Sequence, residues 1–173
     1  MHAAGAPAFG GGDELRIGPL SLPNDPLPDW PPFYAERRLR PLVALARDRG
    51  ALSGSAARAV ERVCERIADL AGPPEPPARL HGDLWSGNVL WSRGRPFVID
   101  PIAYGGHREV DLAMLRLFGS PGARFPAAYE EVAPLAPGHE DRVALYQLFP
   151  LLVHAVLFGG GYGASVERAA RRY

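Results

Sequence analysis

The sequence contains no lysine: the 19 basic residues in its Lys+Arg total are all arginines. It has one cysteine, Cys64, so no intrachain disulfide can form and a reducing, cytoplasmic setting is expected. The 19 basic and 19 acidic side chains cancel. No basic run exceeds three residues, so charge gives no reason to expect nucleic acid or an anionic membrane as partner. The start, Met1-His2-Ala3-Ala4-Gly5, lacks the basic and apolar regions of a secretory signal. The longest apolar run, Leu148 to Phe158, contains Pro150 and His154 and is too short to cross a bilayer. No histidines and cysteines stand at zinc-ligand spacing. What is plentiful is apolar content, 47%, enough over 173 residues for one sizeable core and a single domain, 1–173.

Residues 1–32 carry Gly10-Gly11-Gly12 and many prolines and are expected to be mostly irregular, with a disordered tail to about residue 14 as one alternative. Ile17-Gly18-Pro19-Leu20 and Trp30 are expected to pack on the helix that follows. Apolar positions from Phe33 to Asp48 recur at helical spacing, with Gly50 as stop and a kink at Pro41. Arg37, Arg38 and Arg40 on this helix read as a solvated face before they read as a phosphate patch. Ser53 or Ser55 caps a second helix to about Ala71, whose stripe Val60, Val63, Cys64, Ile67 and Leu70 makes Cys64 a core residue. Further helices are expected over Arg108–Phe118, Phe125–Val132, Glu140–Phe158 and Ala164–Arg172. Gly159-x-Gly161-x-x-Ala164 matches a loose phosphate-loop pattern but follows a helical run, so it reads as an interhelical turn.

The chemistry is concentrated in Leu80-His81-Gly82-Asp83-Leu84-Trp85-Ser86-Gly87-Asn88, followed by Ile99-Asp100-Pro101. Val89-Leu90-Trp91 and Phe97-Val98-Ile99 read as two strands joined by a turn over Ser92–Pro96. Such a hairpin puts Asn88 at the entrance of one strand and Asp100 at the exit of the other, at the same end. A carboxylate facing an acceptor hydroxyl, with an amide oxygen and a second carboxylate on one Mg²⁺, is the equipment of phosphoryl transfer. Asp83 fits the base, and Asn88 and Asp100 the Mg²⁺–ATP ligands. His81 reads as a packed support of the loop. Trp85 could serve as a platform for a sugar ring or fill the back of the loop. His107 could touch substrate or cap its helix, and His154, inside an apolar helix, reads as core.

His-Gly-Asp-Leu-Trp-Ser-Gly-Asn, Asp100-Pro101 and Gly106-His107-Arg108-Glu109 together resemble the fructosamine/ketosamine kinase family of the kinase-like superfamily. Protein kinases have Arg in place of Gly82 and Phe-Gly in place of Pro101-Ile102, and aminoglycoside kinases usually lack Trp-Ser-Gly. The resemblance implies an α+β, mostly helical fold: the C-terminal, catalytic lobe of the kinase-like fold with a small β-hairpin. It covers about the last three fifths of a typical member, which implies that the N-terminal lobe is absent. It implies ATP and Mg²⁺ as cofactors and phosphorylation of a sugar hydroxyl on a ketosamine. Acidic residues in the first turn of a helix compensate its dipole in any protein. For Asp111 the resemblance adds a role as anchor of the catalytic-loop backbone.

The superfamily also uses a strand-borne lysine on the nucleotide phosphates, and this sequence has none. The chain alone is therefore expected to be inactive, and to self-associate or bind another chain through the surface the missing lobe would cover. The rival readings are a kinase of aminoglycoside or choline type and a non-catalytic, partner-binding fragment.

Overall fold

The computed structural model describes residues 1–12, 14–119 and 122–173. An apolar helix, His139–Phe158 (α7), runs through the centre, and Glu109–Phe118 (α5), Arg40–Asp48 (α2) and Tyr162–Ala170 (α8) pack around it. Gly54–Glu65 (α3) packs on α8, while Phe125–Val132 (α6) buries none of its residues. By length and composition α7 could cross a bilayer, but two thirds of its apolar window (67%) lies inside the protein, as in a core helix. Gly159 to Gly161 is the interhelical turn expected between α7 and α8.

Trp30–Phe33 (α1) leads through a π-helical segment, Tyr34–Leu39, into α2. The kink expected at Pro41 takes this form: the widened turn ends just before Arg40-Pro41, so the missing proline N–H falls in the first turn of α2. Ser53 Oγ caps α3 by accepting the Ala56 N–H at 3.0 Å. The helix expected to reach Ala71 breaks at Arg66, and Ile67–Leu70 (α4) completes it. Cys64 lies in the buried stripe, where burial pushes its thiol up to about 12.

Residues 1–32 are less irregular than expected. Glu14–Ile17 (β1) and Leu20–Pro23 (β2) form an antiparallel hairpin, turning Leu15, Leu20 and Leu22 into the core; Trp30 is buried too. The start of the chain is tied down: Phe9 bridges Leu27, and Gly10 exchanges backbone hydrogen bonds with Gly105 at 2.8 and 2.9 Å. Gly105 and Gly106 (β6) pair with Ala78 and Arg79 (β3). Only glycine fits at 105, because a Cβ there would lie 1.9 Å from the Ala8 carbonyl oxygen.

The solvated face expected for Arg37, Arg38 and Arg40 is corrected at Arg38, which is fully buried. Its guanidinium lies 4.2 Å from the Tyr104 ring centroid and 4.6 Å from that of Phe33. It donates to the Pro23 carbonyl (2.9 Å) and to Asn24 Oδ1 (2.6 Å). A planar cation can stack and donate at its edges at once, which an ammonium cannot. Arg38→Lys should therefore destabilise the chain, by about 3 kcal/mol on the scale of buried acceptors left unpaired. Urea unfolding checks this, and an unchanged midpoint would show the stack to be dispensable.

Candidate active site

Strand β3 delivers the chain to the loop, and the Leu80 N–H donates to the Tyr104 carbonyl at 3.0 Å. The next two N–H groups point at Asp111, in the first turn of α5. His81 N donates to Oδ2 at 2.8 Å and Gly82 N to Oδ1 at 2.9 Å. Gly82 has φ +82°, and a Cβ there would come within 2.6 Å of the Ile102 side chain. The arginine of protein kinases would not fit this backbone.

The buried His81 ring joins two parts of the site. Nε2 bonds the Ile99 carbonyl at 2.9 Å, so it carries the proton and donates; Nδ1 then accepts the Asp83 N–H at 3.3 Å. The loop is thus fastened to the residue before Asp100. The Asn88 amide donates to the Asp83 carbonyl at 2.8 Å and to Asp83 Oδ2 at 2.9 Å. One carboxylate oxygen of Asp83 is held, and the amide oxygen of Asn88 is left to accept.

Val89–Ser92 (β4) and Arg95–Val98 (β5) form the expected hairpin, with a tighter turn than expected. Arg93 and Gly94 both have positive φ, +50° and +72°, the geometry of a two-residue turn matched to strand twist. Ile99 N donates to the Asn88 carbonyl at 3.1 Å, extending the pairing, so Asn88 and Asp100 stand at one end of the hairpin. Asp100 has φ +54°, a left-handed conformation that costs energy and that Asp tolerates better than most residues.

Trp85 is 38% exposed, and its indole lies across the backbone of Gly87, where a Cβ would come within 2.3 Å of the ring. It does not fill the back of the loop. Ser86 N donates to the Gly119 carbonyl at 3.0 Å and ties this part of the loop to the end of α5. His107 lies two residues before the start of α5, whose N-cap position is Arg108, and it meets the first N–H of that helix. Its Nδ1 accepts the Glu109 N–H at 3.3 Å, and its ring is buried, stacked on Tyr146 at 5.2 Å between centroids. His154 is partly buried among Phe118, Phe158 and Tyr162. Sequence reasoning missed His2, whose ring reaches Asp111. No local pattern announces a contact across 109 positions.

A match to the fructosamine kinase family covers residues 1–173. The chain belongs to the fructosamine kinase family. It is 40% identical over 174 residues to a Synechocystis protein named probable ketoamine kinase, covering 99% of this chain and 58% of that one. A protein of the same name from Lactiplantibacillus plantarum is 40% identical over 167 residues, 95% of this chain and 60% of that one. A crystal structure of a candidate fructosamine-3-kinase from Thermobifida fusca superposes with a TM-score of 0.94 at 53% identity, covering 99% of this chain and 60% of that one. The chain thus spans about three fifths of the length of these relatives.

Burial holds the His107 pKa below its ordinary value, outweighing the pull of Glu109 and Glu75. The folded state therefore resists a proton that the unfolded chain accepts near pH 6.5, the ordinary value for histidine. Above that pH the ring is neutral in both states and costs nothing. As pH falls below it, the unfolded chain binds more protons and stability drops, by at most about 1.4 kcal/mol per unit. Urea midpoints at several pH values between 7.5 and 5 should show this fall, and His107→Asn should flatten it.

Proposed function

We propose that this chain carries the catalytic loop and metal ligands of an ATP-dependent kinase that phosphorylates a sugar hydroxyl of a ketosamine. The observation that carries the reading is the Asp83–Asn88 pair, joined at 2.9 Å in a loop whose backbone is clamped by Asp111. In this reading Asp83 orients the acceptor hydroxyl and takes its proton. The uncommitted amide oxygen of Asn88 and the exposed carboxylate of Asp100 are hard donors at one end of a hairpin, and they suit Mg²⁺, which takes few protein ligands and keeps phosphate and water oxygens. Bound Mg²⁺–ATP supplies the phosphoryl group and screens its charge. The exposed Trp85 indole, two residues from Asp83, offers a flat apolar face for the sugar of the ketosamine.

A second reading, dependence on a partner or on self-association, is favoured by the hairpin itself. Leu90, Trp91, Phe97 and Val98 are all about half exposed or more, Trp91 reaching 63%. Without a lysine for the phosphates, residues 1–173 alone should not turn over.

Ketosamine-dependent ADP release tests both readings. It should be absent for the isolated chain and present for a chimera in which residues 1–173 replace the matching three fifths of the Thermobifida fusca relative. In that chimera Asp83→Asn should lower turnover by a factor of about 10² or more while leaving nucleotide binding largely intact. Trp85→Ala should weaken ketosamine use more than ATP binding. Normal turnover by Asp83→Asn would remove the base from this account.

A further inference from the structure

We propose that His2 and Tyr129 are positioning residues: a Tyr129–His2–Asp111 relay sets the Asp111 carboxylate and, through it, the backbone of the loop that carries Asp83. The inference rests on the reading of that loop as catalytic. His2 Nε2 lies 2.9 Å from Asp111 Oδ2, and His2 Nδ1 lies 2.8 Å from the Tyr129 hydroxyl. Both Asp111 oxygens already accept backbone N–H groups, so Nε2 is the donor to Oδ2. In the neutral ring Nδ1 then accepts, and the Tyr129 hydroxyl donates to it. The three groups are contributed by the first residues of the chain, by α6 and by α5.

The position of Asp111 gives the relay its leverage. The carboxylate is fully buried, and a buried carboxylate is tolerable only when donors surround it. Three donors do so here: His81 N, Gly82 N and His2 Nε2. Oδ2 is shared between His2 and His81, so the direction of the bond from His2 fixes how Oδ2 meets the loop. Without His2 the carboxylate keeps only the two N–H groups it is meant to hold, and it can turn with them.

Tyr129 extends the device to α6. That helix buries none of its residues, yet Tyr129 meets the His2 ring edge-on at 5.8 Å. Its own ring lies 6.0 Å from the Arg108 guanidinium, which grips Glu75 through two hydrogen bonds of 2.8 Å. The placement of α6 is therefore transmitted to Asp111 by two hydrogen bonds, and from Asp111 to the Asp83 loop by the His81 and Gly82 N–H groups.

Amide hydrogen exchange followed by NMR on the 173-residue chain tests the relay without any turnover. His2→Ala and Tyr129→Phe should each speed exchange of the His81 and Gly82 amides, by roughly five- to tenfold for a hydrogen bond worth about 1 kcal/mol. Amides in the middle of α7, such as Leu148 and Leu152, should not change. His2→Gln, whose side-chain amide can still donate to Asp111, should recover much of the protection lost in His2→Ala. Unchanged rates at His81 and Gly82 in both variants would overturn the proposal. So would an equal acceleration in α7, since His2 would then contribute only to global stability. Lack of kinase activity in the Thermobifida fusca chimera would refute the reading of Asp83 and leave this result standing, so the two failures are distinguishable.

Discussion

The geometry of the candidate site depends on one buried carboxylate. Asp111 sits in the first turn of α5, where the helix dipole favours negative charge, and it spends that position on two consecutive backbone N–H groups of the loop, at 2.8 and 2.9 Å. Those N–H groups face a buried region where water cannot replace the acceptor. Removing Asp111 would leave both unpaired as well as freeing the loop. Because α5 packs on the central helix α7, the loop inherits the rigidity of the core. A long helical core thereby fixes a short irregular segment to within the tolerance of a hydrogen bond.

Two features of the loop follow from that clamp. With His81 and Gly82 both aimed at Asp111, the chain must turn sharply, and it does so at a glycine with φ +82°. His81 is then turned inward, where its ring bonds the Ile99 carbonyl at 2.9 Å and the Asp83 N–H at 3.3 Å. The side chain two positions before Asp83 thus holds Ile99, the residue between the end of β5 and Asp100. The exposed positions of the loop are left to Trp85, Ser86 and Gly87.

Much of this was legible in the sequence, for physical reasons. Helices α5, α6, α7 and α8 carry apolar spacing over two or more turns, so their bounds are near those that periodicity indicates. The hairpin was legible because apolar pairs flank a turn-forming Arg93-Gly94. The anchoring role of Asp111 came from family resemblance, since an acidic residue in a first turn says nothing about its partner. The two-residue strands β3 and β6 were not legible. Gly105-Gly106 has no strand propensity and pairs because the close approach of Ala8 and Gly10 requires glycine there. Arg38 was misread because a charge beside Arg37 and Arg40 looks solvated. The rings that bury it, Tyr104 and Phe149, come from distant parts of the chain. His2 was missed for the same reason.

The hairpin between Asn88 and Asp100 carries a constraint of another kind. A four-residue, two-stranded ribbon is marginal by itself in water, and both faces of this one are apolar. Val89, Trp91, Pro96 and Val98 line a groove of 480 Å³ that also includes Phe125 and Tyr129, while Leu90 and Phe97 occupy the opposite face. Its attachments to the loop include the Asn88 amide on Asp83, the Asn88 N–H on the Trp85 carbonyl and the His81 ring on Ile99. Anything that covers these faces therefore stabilises the ribbon that sets Asn88 against Asp100. Any cation that bridges the two residues stabilises the same ribbon from its other end. Two ligands that favour one conformation of a shared element strengthen each other, and the coupling is reciprocal. A partner on the exposed apolar faces of this hairpin and a cation on the oxygen donors at its end would thus be coupled through the ribbon they share.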